Sequence, residues 1–216
     1  MDEYGPSTYG DRIAEVYDEW YPESSRAGDV DAAVSFLREL AAAGPALELG
    51  IGTGRVAVPL HREGVEVHGI DASEAMLARL RTKEGAASIA TSVADIRHFE
   101  LEPRFTLAYV VFNTLFALRT QDDQVMCFQA VARHLTPDGV FVVEAFVPDV
   151  SRFDRGQRVS ALEGGVDEVR LEVSTHDAIA QRTERHHVVI SESGIRLDPV
   201  MTRDAPAGDR PHMPRR

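Results

Sequence analysis

Short apolar runs alternate along this chain with stretches whose apolar residues recur at three- and four-residue steps. Runs of the first kind read as buried strands, and stretches of the second kind read as helices packed along one face. Between residues 46 and 147 the two kinds take turns. Strands are expected at Ala46–Leu49, Val65–Ile70, Ala87–Val93, Thr106–Phe112 and Val140–Phe146. Helices are expected from Gly54 to about Glu63, after Ser73, and from Thr120 through His134, where Pro137-Asp138-Gly139 makes a turn. The run Thr106–Phe112 is almost wholly apolar, as a central parallel strand covered on both faces must be. Alternation at this spacing predicts an α/β fold, a doubly wound and mainly parallel sheet with right-handed crossovers.

The flanks follow other rhythms. Ile13, Val16, Tyr17 and Trp20 fall on one face of a helix expected at about 10–19, which Tyr21-Pro22 ends. Val30, Ala33, Val34, Leu37 and Leu40 stripe a second helix, Asp29–Ala43, which Gly44-Pro45 stops. Residues 1–45 are thus a helical lid, and 46–147 are the sheet. After Val147 the helices cease. Glu168–Ser174, Thr183–Ser191 and Gly194–Thr202 read as three strands in succession, an antiparallel cover over one end of the sheet within 148–203. Residues 204–216 have neither period and are expected to be disordered. No linker interrupts 1–203, so the expectation is a single domain.

Composition narrows the chemistry. The formal net charge is −12, which argues against a nucleic-acid partner held by its phosphates. No apolar run approaches the roughly 20 residues that span a bilayer, and the acidic N-terminus lacks an apolar signal core. Cys127 is the only cysteine. Together these predict a cytoplasmic chain with no membrane partner. Arg155, Arg158 and Arg170 read as a solvated surface rather than an anion site. His186 and His187 are neighbours on a strand and point to opposite faces, so they make no metal site. One of the two could face a substrate as a general base.

The informative stretch is Ala46-Leu47-Glu48-Leu49-Gly50-Ile51-Gly52-Thr53-Gly54-Arg55. An apolar run ends in an acid, and glycines follow at every second position before a helix begins. Glycines let a ligand approach the backbone, and a helix start leaves free N–H groups. Asp71 closes the second strand, where a carboxylate can accept from two ribose hydroxyls. Asp95 closes the third, where it could receive an adenine amino group or merely cap a helix. Ligands of open α/β sheets bind at the carboxyl ends of the strands, so these positions converge.

Glu48-Leu-Gly-Ile-Gly-Thr-Gly-Arg55, Gly69-Ile-Asp-Ala-Ser-Glu-Ala-Met76-Leu77, Ala94-Asp95-Ile96-Arg97 and Val110-Val-Phe-Asn-Thr114 resemble, in order, the motifs of class I S-adenosylmethionine-dependent methyltransferases. The opening Ile13-Ala-Glu-Val-Tyr17-Asp18-Glu-Trp-Tyr21 is similar to small-molecule members, including aminosugar N-methyltransferases of antibiotic pathways. The resemblance implies a Rossmann-like fold and S-adenosylmethionine as cofactor. Gly50, Gly52 and Gly54 would pass around its methionine part, with Glu48 beneath. Asp71 and Ala72 would meet the ribose, Met76 would pack near the adenine, and Asp95 and Ile96 would bond its ring. Phe112, Asn113 and Thr114 would line the floor near the transferable methyl, and Tyr17, with Tyr9 or Tyr21, would come from the lid. The candidate catalytic residues are Tyr17, Asn113 and His187. Met76, Tyr17 and Trp20 also fit plain core packing.

The expected function is methyl transfer to N or O of a small-molecule acceptor. Two other readings compete: a protein that binds the cofactor without turnover, and an NAD-dependent oxidoreductase. The latter leaves Asp95 and the lid unexplained, and it wants a glycine where Arg55 stands. Members of the family usually continue past the cover into another helix and two more sheet strands. Here Met201-Thr-Arg203 leads into a proline-rich tail, so the C-terminal sheet strands are expected to be missing. The fifth strand would then be a bare edge, and a homodimer that covers it is expected.

Overall fold

The computed structural model describes residues 4–21, 27–102 and 104–203. The expected disordered tail, 204–216, lies outside the described residues. Chain contacts divide the protein into two compact units: residues 1–115 with 122–144, and residues 116–121 with 145–216.

The first unit is built on a five-stranded, wholly parallel sheet of order β3-β2-β1-β4-β5. Its strands are β1 (Ala46–Leu49), β2 (Val67–Asp71), β3 (Ala90–Val93), β4 (Phe105–Val110) and β5 (Leu135–Val143). Its helices are α1 (Thr8–Ile13), α2 (Tyr17–Trp20), α3 (Ala27–Ala41), α4 (Ala57–Arg62), α5 (Glu74–Arg81) and α6 (Gln121–His134). Every residue of β1 is buried, as a strand paired on both edges and covered on both faces requires. Val30, Val34, Leu37 and Ala41 bury one side of α3 in the main core, beside Leu60 of α4, Leu77 and Leu80 of α5, and Leu107 and Tyr109 of β4. A second small core joins Ile13, Ala14 and Met76, with Tyr9, Tyr17 and Trp20 against it.

Several expected boundaries move. The helix expected at 10–19 is two short helices, because the chain turns at Ala14–Val16, where the Val16 N–H bonds the Ile13 carbonyl. The helix after the glycine loop starts only at Ala57, which leaves Pro59 in its first turn, where its missing N–H costs nothing. The turn expected at 137–139 is absorbed into β5. Its register against β4 jumps from the pair Phe105 and Leu135 to the pair Leu107 and Val140, and the strand ends at Val143 rather than Phe146.

The second unit holds a four-stranded antiparallel meander of order β6-β7-β8-β9. Its strands are β6 (Gln157–Gly164), β7 (Glu168–Asp177), β8 (Arg182–Ser191) and β9 (Gly194–Arg203). Strand β6 was not expected from the sequence. It carries Arg158, Ser160, Glu163 and Gly164 among its apolar positions, and a register shift between Ala161 and Glu163 breaks the alternation. No described helix is long and apolar enough to cross a membrane.

Candidate active site

The carboxyl ends of β1, β2 and β4 and the lid helices bring most of the expected residues together within the first unit. The turn after β1 folds back on β2, where the N–H groups of Gly50 and Ile51 both donate to the Ile70 carbonyl, at 2.8 and 3.0 Å. Gly50 and Gly52 hold positive φ, +69° and +55°. A Cβ on Gly50 would lie 2.4 Å from the Thr114 side chain, so this turn must be bare to pass. A Cβ on Gly52 would meet nothing nearer than the Gly50 carbonyl oxygen at 4.0 Å. Gly52 therefore borders open space, which a larger residue would occupy.

Asp71 ties the end of β2 to this turn. Its Oδ2 accepts the Gly52 N–H at 2.9 Å and its Oδ1 accepts the Ser73 N–H at 2.9 Å. Burial raises its pKa, and those two N–H donors oppose the rise. Ser73 caps α5, its hydroxyl accepting from Met76 N–H at 3.2 Å and donating to Asp11 of α1 at 2.6 Å. The lid is thus fastened to the helix that follows Asp71. A second fastening joins Asp18 of α2 to the loop: Thr53 Oγ1 donates to Asp18 at 2.7 Å, and Lys83 Nζ reaches Asp18 at 3.0 Å and Thr53 at 3.2 Å.

Glu48 lies beneath the loop, only 3% exposed. It accepts from the Tyr109 hydroxyl at 2.9 Å. Burial pushes its carboxyl up to about 8, against the Tyr109 hydrogen bond, and Asp71 adds to the rise. At neutral pH it holds its proton, because the nearby Arg55 opposes the rise only in part. At the end of β4, Phe112 and Asn113 both adopt left-handed backbone, φ +52° and +65°. Two consecutive non-glycine residues in that region store strain, a feature of functional loops. The Phe112 N–H donates to the Glu144 carboxylate, and Thr114 Oγ1 donates to the Val111 carbonyl at 2.9 Å.

The chain matches the family model described as a methyltransferase domain over residues 46–139. It is 29% identical over 127 residues to the putative methyltransferase YqeM of Bacillus subtilis (strain 168), covering 54% of this chain and 51% of that protein. It is 30% identical over 199 residues to dTDP-4-amino-2,3,4,6-tetradeoxy-D-glucose N,N-dimethyltransferase of Saccharopolyspora spinosa, covering 88% of this chain and 77% of that protein. Among solved structures, the CcbJ methyltransferase from Streptomyces caelestis is 41% identical with a TM-score of 0.87, covering 95% of this chain and 84% of that one. The chain belongs to the class I S-adenosylmethionine-dependent methyltransferases. These matches decide against the oxidoreductase reading.

The methyltransferase site has features that fit its cofactor. Arg55, the residue after the third glycine, stacks its guanidinium on three rings: Phe112 at 4.7 Å, Tyr17 at 5.1 Å and Tyr21 at 5.4 Å. Its Nη2 is buried and has no hydrogen-bond partner among the described residues. A buried guanidinium nitrogen without an acceptor is costly, and a carboxylate is the acceptor that satisfies it best. The methionine end of the cofactor carries such a carboxylate, next to the ammonium that a buried acid such as Glu48 suits. Sequence reasoning passed over Arg55. Its only signal was its place directly after the glycines, and its aromatic cage comes from three separate segments.

Tyr17 is half-buried, and burial raises its pKa despite the lowering effect of Arg55, so it stays a protonated donor. Met76 is buried in the small lid core, which favours its packing role. Gly54 is buried against Leu80 and Val58 at the start of the helical turn, Ala72 is half-buried between Asp71 and Ser73, and Ile96 is buried. Both Asp95 oxygens already accept from Arg97, at 2.6 to 3.0 Å, and Arg97 also bonds Asp123 of α6 at 2.8 Å. Burial opposes ionisation of Asp95, but Arg97 outweighs it and the pKa is lowered. An adenine amino group would share this carboxylate with Arg97. His187 belongs to the second unit, on β8. Burial lowers its pKa against the opposing pull of Glu172, 3.9 Å away, and Asp198.

Proposed function

We propose that this methyltransferase acts on the amino nitrogen of a sugar-type small molecule. The observation that carries the reading is the extent of the match to the Saccharopolyspora spinosa enzyme, whose name makes it an N,N-dimethyltransferase of a dTDP-linked amino sugar. An alignment of 199 residues cannot be contained in the sheet of 46–139. It runs on into the antiparallel unit, which the family model does not include.

S-adenosylmethionine supplies an activated methyl on a sulfonium when bound. In our reading the chain's own residues bind and orient. Arg55 takes the methionine carboxylate, Glu48 ionises beside the ammonium, and Gly50, Gly52 and Gly54 let the backbone lie close. Asp71 and Ala72 hold the ribose, and Asp95 and Ile96 the adenine. Phe112 and Asn113 form the floor on which the acceptor rests, and Tyr17 closes over it and donates a hydrogen bond. A neutral amine is already a nucleophile, so orientation and exclusion of water matter more than a strong base. His187, half-buried on β8 with its pKa lowered by burial, carries a neutral imidazole able to accept a proton.

Mass spectrometry of reactions with S-adenosylmethionine tests this. The purified chain is incubated with dTDP-linked amino sugars and with their hydroxyl counterparts. Addition of one or two methyl groups to the amino compounds alone is expected. Methylation of the hydroxyl compounds in preference would overturn N transfer.

A further inference from the structure

One side chain holds the two strained residues at the end of β4. The ladder between β4 and β5 runs one step past both strands, where the Glu144 N–H donates to the Val110 carbonyl at 2.9 Å. There the chain leaves the sheet and enters the left-handed pair, Phe112 and Asn113. Left-handed backbone crowds a Cβ against the carbonyl that follows it, so such a pair persists only where its surroundings hold it. The Phe112 N–H donates to the Glu144 carboxylate, its one acceptor among the described residues. Glu144 is exposed, and a solvated glutamate is ordinary on a surface. One that accepts a backbone N–H makes a charge-assisted bond, stronger than a neutral one. The rest of the turn is wedged from its other end. Thr114 donates to the Val111 carbonyl with its N–H at 3.2 Å and its hydroxyl at 2.9 Å, and its methyl fills the space that a Cβ on Gly50 would take.

We propose that Glu144 is a positioning residue for methyl transfer: by accepting the Phe112 N–H it fixes the left-handed turn, and with it the Phe112 ring and the Asn113 side chain on which the acceptor rests. The inference rests on the reading of that floor given above. Its effect belongs in the catalytic rate. The acceptor atom must meet the methyl in line, and a shift of about 1 Å at a reacting centre costs ~100-fold. A turn released by Glu144 loses the acceptor of the Phe112 N–H, and both strained residues relax toward ordinary backbone. Cofactor affinity should hardly respond. The glycine turn and Asp71 are carried by β1 and β2, neither of which pairs with β5. Arg55 keeps the rings of Tyr17 and Tyr21 whatever Phe112 does.

Two measurements test the proposal. The first is NMR spectroscopy of the full chain and needs no acceptor. The Phe112 amide proton is expected to shift on acidification, as the Glu144 carboxylate takes up a proton, and to stay still in Glu144→Gln. In Glu144→Ala the backbone shifts of Phe112 and Asn113 are expected to leave the left-handed range. An amide that ignores acidification, or a turn that survives Glu144→Ala, overturns the proposal. The second is steady-state kinetics with the acceptor that mass spectrometry identifies. Glu144→Ala is expected to lower kcat at least tenfold, with S-adenosylhomocysteine affinity, the marker of a folded chain, within about threefold of the parent. Glu144→Gln, whose amide oxygen accepts the same N–H, should recover most of that rate. Glu144→Asp, too short to reach Phe112, serves with the same expected loss if Glu144→Ala fails to fold. An unchanged kcat, a loss confined to KM, or a Gln variant as impaired as the Ala variant overturns the positioning role. Should the acceptor prove to be a hydroxyl compound, the amine reading fails while the same comparison still decides for or against Glu144.

Discussion

Asp71 reaches back nineteen residues to the glycine turn, accepting the Gly52 N–H at 2.9 Å, while its other oxygen holds Ser73 N–H. The carboxylate proposed for the ribose is therefore also the strut of the loop around the methionine. Each oxygen keeps a lone pair for a ribose hydroxyl, so the two duties are compatible.

Asp71→Ala removes both duties. Charge-assisted hydrogen bonds are worth about 1–3 kcal/mol each, so S-adenosylhomocysteine affinity should fall by at least tenfold. The melting temperature should fall as well, because Gly52 and Ser73 lose their acceptor. Calorimetric titration and thermal melts of parent and variant check this. Unchanged affinity would remove Asp71 from the ribose.

Glu48 makes stability depend on pH in an unusual direction. Its folded-state pKa of about 8 exceeds the ordinary value of 4.5, so the folded state holds the proton through that window. Stability from this group is complete below pH 4.5 and is lost as pH rises toward 8. Glu48→Gln keeps an acceptor for Tyr109 and should flatten that slope, gaining on the parent as pH rises. Thermal melts across the window measure the difference. Parallel profiles for the two proteins would contradict it.

Lys83, the single lysine, clamps the lid through Asp18 and Thr53. The pair is partly exposed, with side chains 22% and 35% accessible. Partly exposed ion pairs contribute only about 0.2–1 kcal/mol, so Lys83→Met should shift the melting temperature little. Its effect should appear in kinetics, as faster release of S-adenosylhomocysteine in stopped-flow measurements. An unchanged release rate would mean the lid does not gate the site.

The glycine turn, Asp71 and Ser73 were legible in the sequence because each stands where a strand ends and the next helix is about to begin. The parallel sheet followed from strict alternation of strand and helix. What escaped depended on distant partners. Arg55 gains its meaning from Tyr17, Tyr21 and Phe112, which no periodicity brings together. Asp95 was read as facing a ligand or capping a helix; its partnership with Arg97, which Asp123 of α6 holds in turn, needs α6 in place. Strand β6 was missed because its alternation breaks at the register shift between Ala161 and Glu163 and most of its residues are exposed.

Arg55→Gln separates the carboxylate role from general site integrity. S-adenosylhomocysteine carries the amino-acid carboxylate, and 5′-methylthioadenosine lacks it. The variant should lose at least tenfold in affinity for the first and little for the second. Equal losses would show that Arg55 merely supports the aromatic cage.

The most direct measurement is calorimetric titration of the native chain with S-adenosylmethionine, S-adenosylhomocysteine and NAD in parallel. The account predicts micromolar binding of both sulfur ligands, release of protons as Glu48 ionises beside the ammonium, and no binding of NAD. A folded chain that ignores the sulfur ligands, or binds NAD instead, would contradict it.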